Sequence, residues 1–122
     1  MDAEAISASP DGKWLAEAGR DQRIRIRDAA SLRVVAEFWA HDATVRDVAW
    51  HRDLPLLASV SEDLSIRIWN TVSWKQEEEI RGFEERPDGI FFSPYSSEIG
   101  LVTRKAWKAS LWESKAVKRF SP

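Results

Sequence analysis

The chain of 122 residues contains no cysteine, and that absence excludes several kinds of chemistry. There is no disulfide framework, no thiol nucleophile and no cysteine-based metal site. No apolar run approaches the ~20 residues that cross a bilayer, and the acidic start at residues 1–4 lacks the positively charged flank of a secretory signal peptide. We therefore expect a soluble, cytoplasmic protein without a membrane partner.

An excess of charge of either sign is also missing. The 18 lysines and arginines nearly balance the 20 aspartates and glutamates, which leaves a net charge of −2. This balance provides no general attraction to nucleic acids or anionic membranes. The sequence also lacks a phosphate-binding loop, a cluster of metal ligands and a paired-carboxylate signature. We therefore expect a protein that is not an enzyme and that binds no cofactor and no metal ion.

What the chain does contain is a set of short apolar segments, seen most clearly between residues 41 and 70. The segments at 45–50, 56–60 and 66–69 are rich in β-branched and aromatic residues, and turn-forming residues separate them. Short segments with these flanks are typical of β-strands rather than of a helix.

The same pattern recurs along the chain at a nearly constant spacing. A shift of 42 positions aligns Asp63 with Asp21, and a shift of 43 positions aligns Trp112 with Trp69. A repeat of ~40–45 residues has the length of one four-stranded propeller blade. The sequence therefore predicts consecutive copies of one strand-rich unit.

The central copy contains a characteristic set of residues, namely Ala40-His41, Leu57-Ala58-Ser59, Asp63 and Ile66-Arg67-Ile68-Trp69-Asn70. With these residues it resembles one repeat of the WD-repeat β-propeller family. Ala40 and Asn70 are departures, because the family has glycine and aspartate at these two positions.

The resemblance implies an all-β fold built from four-stranded antiparallel blades. One propeller segment then covers residues 1–122, with three blades at residues 5–40, 41–82 and 83–122. The fourth strand of each blade is predicted at residues 33–39, 75–81 and 116–120.

Three blades cannot close a ring by themselves, because propellers close with ~4–8 blades. An open arc would leave apolar blade faces exposed to water. Either the chain is a segment of a longer, multidomain protein, or several copies join. Two copies would supply enough blades for a ring of this size.

The resemblance also implies a buried hydrogen-bond network inside the central blade. His41 is expected to bond Asp63, and the hydroxyl of Ser59 or Ser61 is expected to link this pair to the indole of Trp69. The physical reason is that an aspartate under a sheet edge needs donors, since an unpaired buried charge is very costly. A catalytic role for the His–Asp pair is not indicated, because no nucleophile stands at a diagnostic spacing.

The network is expected to be incomplete in the first blade. The first blade keeps Asp21 but has Glu17 at the serine position and Arg27 at the tryptophan position. Our hypothesis is that Arg27 pairs with Asp21 or Glu17.

The third blade keeps Trp112 but has Phe83 and Ala106 in place of the histidine and the aspartate. Here we expect apolar packing in place of the polar network, a replacement that proteins tolerate when all partners change together.

The function implied by the resemblance is a non-catalytic scaffold or sensor module that binds a protein or peptide on a rim of loops. The mixed signs of the expected contact residues indicate a polar partner surface rather than a polyanion. These residues are Arg20 in the first blade, Asp42, Thr44, Arg46 and Glu62 in the second, and Glu84, Arg86, Asp88 and Arg104 or Lys105 in the third.

Two other functions stay open at this point. The first is a structural propeller unit whose copies complete a ring. The second is nucleic-acid contact through the last blade, where residues 83–122 carry seven lysines and arginines against five aspartates and glutamates. The net charge of the whole chain opposes nucleic-acid binding.

Overall fold

The computed structural model describes residues 3–105 and 107–122 and consists of three antiparallel sheets that follow one another along the chain. Within each sheet the strands lie side by side in chain order. The first sheet contains β1 (Ala3–Ala8), β2 (Trp14–Gly19), β3 (Arg23–Asp28) and β4 (Val34–Trp39). The second contains β5 (Val45–Trp50), β6 (Leu56–Ser61), β7 (Ile66–Asn70) and β8 (Gln76–Ile80). The third contains β9 (Gly89–Phe92), β10 (Glu98–Thr103) and β11 (Lys108–Glu113).

Alternation of apolar and polar residues explains why these segments are strands. In β3, Ile24 and Ile26 are fully buried, whereas the three arginines that alternate with them lie on the opposite face. Successive side chains of a strand point to opposite faces, so such alternation gives one apolar and one polar face.

The second sheet is covered on both faces. Leu57 packs with Ala16 and Ile24 of the first sheet, whereas Leu56 packs with Ile99 of the third. All six residues of β6 are buried as a result. The first strands of the three sheets also lie next to each other, β1 beside β5 and β5 beside β9. The fold is therefore all-β, with sheets stacked face to face like propeller blades.

The prediction of a fourth strand at residues 116–120 of the third blade is wrong, because the chain forms the short helix α1 (Lys115–Phe120) there. Ser114 caps this helix by accepting a hydrogen bond from the backbone N–H of Val117 at 3.1 Å. Glu78 of β8 accepts hydrogen bonds from the Ser114 hydroxyl and from the backbone N–H groups of Lys115 and Ala116. These acceptors satisfy the free N–H groups of a helix start, so the segment folds as a helix. The third sheet therefore has three strands.

Among residues 3–105 and 107–122, no helix is long and apolar enough to cross a membrane.

Candidate functional site

A buried hydrogen-bond network lies at one end of the second sheet. Its centre is His41, which is fully buried in the loop between β4 and β5. The Nδ1 atom of His41 lies 3.0 Å from Asp63 Oδ2, and its Nε2 atom lies 2.7 Å from the Ser59 hydroxyl. The indole N–H of Trp69 donates to the same hydroxyl at 2.9 Å. The structure thus brings together four of the residues expected in the network.

The direction of these hydrogen bonds follows from the chemistry of the groups. An ionised carboxylate only accepts hydrogen bonds, so Nδ1 of His41 carries the proton and donates a hydrogen bond to Asp63. The Ser59 hydroxyl then donates to Nε2 while it accepts from Trp69. The four groups therefore form one continuous chain of hydrogen bonds that joins a loop, a turn and two strands.

Ser61 has a different role from Ser59. Its hydroxyl donates to the backbone carbonyl of Ala43 at 3.2 Å and accepts from the backbone N–H of Asp63 at 3.0 Å. Of the two serines proposed as the link to Trp69, the structure places Ser59 there. Ser61 instead holds the β6–β7 turn against the preceding loop.

The ionisation states fit this arrangement. Burial lowers the pKa of His41, although the neighbouring Asp63 works in the opposite direction, and the imidazole is therefore neutral at pH 7. Desolvation raises the pKa of Asp63, but hydrogen bonds from His41 and Ser65 outweigh it and hold that pKa well below its usual range. The Ser65 hydroxyl donates to Asp63 Oδ1 at 2.6 Å. Asp63 is therefore a carboxylate.

Arg67 joins the same region and was not expected from the sequence. Its side chain is buried, and its guanidinium donates to the backbone carbonyl of Ala40 at 2.7 Å. The guanidinium also lies 3.2 Å from Glu79 Oε1 and 5.1 Å from the ring centre of Trp39. The local signal is an arginine between two isoleucines, four residues after Asp63, and alternation alone assigns such a residue to solvent.

The first repeat has a separate set of ion pairs at the matching positions. Arg27 donates to Glu17 Oε1 at 2.8 Å, and the Asp21 carboxylate instead accepts from Arg25 at 2.6 Å. Of the two partners proposed for Arg27, the structure therefore places Glu17 beside it. Asp21 lies apart from the His41 network.

In the third repeat the indole of Trp112 donates to the Ser110 hydroxyl at 2.9 Å. The ring of Phe83 packs edge-on against Trp112, with the ring centres 5.8 Å apart. Ala106, which stands at the aspartate position, lies outside the described residues. Trp112 is thus held by one serine and one phenylalanine in place of a histidine network.

Five of the candidate contact residues meet on the surface at the same end of the second and third sheets, and we call Arg46, Glu62, Arg86, Asp88 and Arg104 the charged cluster. Arg46 lies 3.8 Å from Glu62 and 3.3 Å from Asp88. Arg86 lies 2.6 Å from Glu62, and the backbone N–H of Arg104 donates to Asp88 at 2.7 Å. The latter hydrogen bond lowers the pKa of Asp88. Ion pairs and a hydrogen bond therefore connect residues of the second repeat with residues of the third.

The other candidate contact residues lie around or away from this cluster. The Thr44 carbonyl accepts from the Glu62 backbone at 3.0 Å, and the exposed Asp42 carboxylate lies 4.0 Å from Arg67. Arg20 is separate and lies 3.6 Å from Glu4. The two remaining candidates are Glu84, which lines a cavity beside Trp112, and Lys105, which is exposed in the β10–β11 turn.

A groove of about 320 Å³ borders the charged cluster. Asp47 lies in this groove and accepts hydrogen bonds from the backbone N–H groups of Val48 and Ile90, both at 2.9 Å. Burial raises the pKa of Asp47. Because this carboxylate links β5 to β9, it fixes the position of the third sheet relative to the second. It was not expected from the sequence.

Comparison with known proteins agrees with the architecture. The family described as "WD domain, G-beta repeat" matches residues 32–70, which include His41, Asp63 and Trp69. A relative, protein HIR1 of Cryptococcus neoformans, is 32% identical over 75% of this chain. The chain belongs to the WD-repeat family. WD-repeat domains mediate protein–protein interactions, and members of the family are generally non-catalytic scaffolds.

Similar WD-repeat relatives come from several organisms. Protein HIR1 of Candida albicans is 27% identical over 106 residues, which cover 74% of this chain and 12% of HIR1. Actin-interacting protein 1 of Drosophila melanogaster is 38% identical over 72 residues, which cover 57% of this chain and 12% of that protein. Protein HIR1 of Cryptococcus neoformans is 32% identical over 92 residues, or 75% of this chain and 10% of that protein. The WD-repeat chain thus spans about a tenth of the length of these relatives.

Proposed function

We propose that this WD-repeat chain is a segment of a larger protein-interaction scaffold, and that the charged cluster is its contact surface for a protein or peptide. The observation that carries the proposal is the connection of charged residues from two successive repeats at one end of the sheets. Residues far apart in sequence meet there beside a groove. A surface of this kind supplies charge complementarity to a partner, which favours specificity and fast association.

Rigidity supports the same function. The β6–β7 turn, which carries Glu62 of the charged cluster, is fixed to the loop before β5 by the network of His41, Asp63 and Ser59. A preformed surface binds at a lower entropic cost than a flexible loop does. The network is therefore structural, and the partly exposed charges of the cluster are available to a partner.

Both signs of charge are present in the cluster, which favours a partner with mixed charges. A nucleic acid is less well matched. Lys118 lies 2.9 Å from Glu113, and Arg119 lies 2.7 Å from Glu77. These pairs neutralise basic groups of the third repeat that phosphate contacts would require.

A photo-crosslinking experiment tests the contact surface. A photoreactive phenylalanine replaces Asp42, whose side chain is exposed and whose backbone N–H donates to Asp63, the residue after Glu62 of the charged cluster. In a control variant it replaces Asp53 in the β5–β6 turn at the other end of the sheets. We expect the first variant to crosslink a discrete protein partner in cell extract and the control not to do so. If only the control variant crosslinked a partner, the contact surface would lie elsewhere and the proposal would be overturned.

A second candidate role, assembly with further blades, is favoured by one face of the third sheet. Phe91 pairs with Gly100, which pairs with Leu111, and Phe91 and Leu111 are 40% and 55% exposed. The matching residues of the second sheet include Ala58 and Ile68, which are fully covered by the third sheet. An apolar sheet face of this kind is suited to a neighbouring blade.

Light scattering after size exclusion separates the two sources of such a blade. A mass of 14.0 kDa, the mass of one chain, is expected if the neighbouring blade belongs to a longer chain. A stable species of twice this mass would instead support assembly of copies.

A further inference from the structure

A cavity of about 280 Å³ lies beside the third sheet, between the loop at residues 82–85 and side chains of β10 and β11. Leu101, Ser110 and Trp112 form one side of it, and Phe83, Glu84 and Glu85 contribute the other. Small-molecule sites typically occupy ~300–1,000 Å³, so this cavity suits one side chain better than a whole cofactor.

The second sheet shows what fills the corresponding space. Trp112 pairs with Ile99 across the third sheet, and Ser110 pairs with Leu101. In the same register of the second sheet, Arg67 pairs with Ser59. Ser110 therefore stands at the position of Arg67. The side chain that occupies this region of the second repeat is missing from the third, and a hollow is left in its place.

The contacts of Arg67 indicate what the region can hold. Its guanidinium donates to the carbonyl of Ala40. Three carboxylates lie close to it, those of Glu79 at 3.2 Å, Asp63 at 3.8 Å and Asp42 at 4.0 Å. It also lies against the aromatic ring of Trp39. Carboxylates and an aromatic face together form a typical environment for a guanidinium group.

The cavity of the third sheet offers a related set of groups, with carboxylates from a different loop position. Glu84 occupies the position of Asp42, and its carboxylate has no hydrogen bond or ion pair with any other residue that the structure describes. Glu85 stands next to it, and the rings of Phe83 and Trp112 supply aromatic surface. Carboxylates bind guanidinium groups through paired, charge-assisted hydrogen bonds.

We propose that this cavity binds the side chain of an arginine presented by a protein or peptide partner. The proposal rests on the proposed scaffold function and adds the chemistry of one contact. Lys108 at the rim opposes binding, because its ammonium lies 3.9 Å from Glu85. This ion pair is exposed and therefore weak, so an incoming guanidinium can replace the ammonium.

The test uses the complete chain and the peptide acetyl-Gly-Arg-Gly-amide, followed through the indole N–H signal of Trp112 in NMR spectra. A matched peptide carries citrulline, which has nearly the same shape as arginine but no charge. We expect saturable shifts with the arginine peptide and at least about tenfold weaker binding of the citrulline peptide, since the charge-assisted bonds are lost.

Three variants sharpen this test. Ser110→Arg gives the cavity an arginine of its own and should abolish peptide binding, whereas Ser73→Arg in the exposed β7–β8 turn should not. Glu84→Gln, an exposed position that does not threaten folding, should weaken binding about tenfold. Lys108→Met should strengthen binding about two- to fivefold, because the competing ammonium is gone.

The results that overturn the proposal are equally specific. They are an absence of Trp112 shifts at millimolar arginine peptide, equal binding of the citrulline peptide, or unchanged binding by Glu84→Gln. Crosslinking from position 42 tests the scaffold function independently of the arginine site. A partner that crosslinks there while the arginine peptide does not bind would overturn the arginine site and leave the scaffold function standing.

Discussion

The Nδ1 atom of His41 lies 3.0 Å from the Asp63 carboxylate, and this contact joins the loop before the second sheet to the turn between β6 and β7. Asp63 also accepts from the Asp42 backbone at 3.0 Å and from the Ser65 hydroxyl at 2.6 Å. One carboxylate therefore satisfies several donors that would otherwise be buried without an acceptor.

Replacement of Asp63 by alanine should lower the free energy of unfolding by about 2–3 kcal/mol, because buried donors of His41 and Ser65 lose their acceptor. Urea denaturation followed by tryptophan fluorescence measures this change. As a control, Asp53→Ala removes an exposed acid that lies 3.9 Å from Arg52, and it should change stability by less than about 0.5 kcal/mol. Equal effects of the two variants would contradict a structural role for the network.

The lowered pKa of His41 predicts a dependence of stability on pH. The unfolded chain binds a proton at His41 near pH 6.5, whereas the folded chain resists protonation until lower pH. Stability should therefore fall as pH decreases from about 7.5 to 5.5. His41→Asn should flatten this slope and leave the contribution of His51, whose pKa burial also lowers. Urea denaturation at a series of pH values measures both slopes, and identical slopes would count against a buried neutral His41.

The pairing of Arg27 with Glu17 can be tested by substituting tryptophan, the residue that the second repeat has at this position. Arg27→Trp leaves the Glu17 carboxylate without its partner in a partly buried place and should lower the melting temperature by about 4 °C. Arg23→Trp on the same face, where the ion pair with Glu37 is longer at 3.6 Å, serves as the control and should have little effect. A thermal-shift assay measures both, and a gain in stability on Arg27→Trp would refute the pairing role.

The helix α1 depends on its cap at Ser114. Ser114→Ala removes the acceptor for Val117 and the donor to Glu78 and should destabilise the helix by about 1 kcal/mol. Hydrogen exchange of residues 115–120 should accelerate, whereas Ser114→Thr, which keeps the hydroxyl, should retain most of the protection. If the alanine variant exchanged at the rate of the native chain, the cap would not be what holds α1.

Local patterns predict much of this fold. The all-β class and the WD-repeat resemblance are both confirmed. They could be predicted because the alternation in strands such as β3 and the repeat spacing are visible in the sequence itself. The helix at Lys115–Phe120 was not predicted, since the acceptor that stabilises its first turn comes from Glu78, more than thirty residues earlier. A contact over that distance leaves no local signal.

Burial on both faces of a sheet explains why parts of the site were missed. Alternation assigns the polar residue between Ile66 and Ile68 to solvent, yet Arg67 is buried because the first sheet covers that face. The cavity beside Ser110 is likewise visible only once the registers of the second and third sheets are compared. By contrast, the charged residues of the loops could be named as candidate contact residues from their positions within the repeat.

The most direct test of the scaffold account is the affinity of a crosslinked partner, once purified, for the chain and for two variants. Arg46→Glu combined with Arg86→Glu reverses two charges of the charged cluster, while Arg52→Glu reverses an exposed charge at the other end of the second sheet. We expect the double variant to bind the partner at least about tenfold more weakly than the native chain, with most of this difference lost at high salt. We expect Arg52→Glu to bind like the native chain. Equal affinity of all three proteins would contradict the scaffold account.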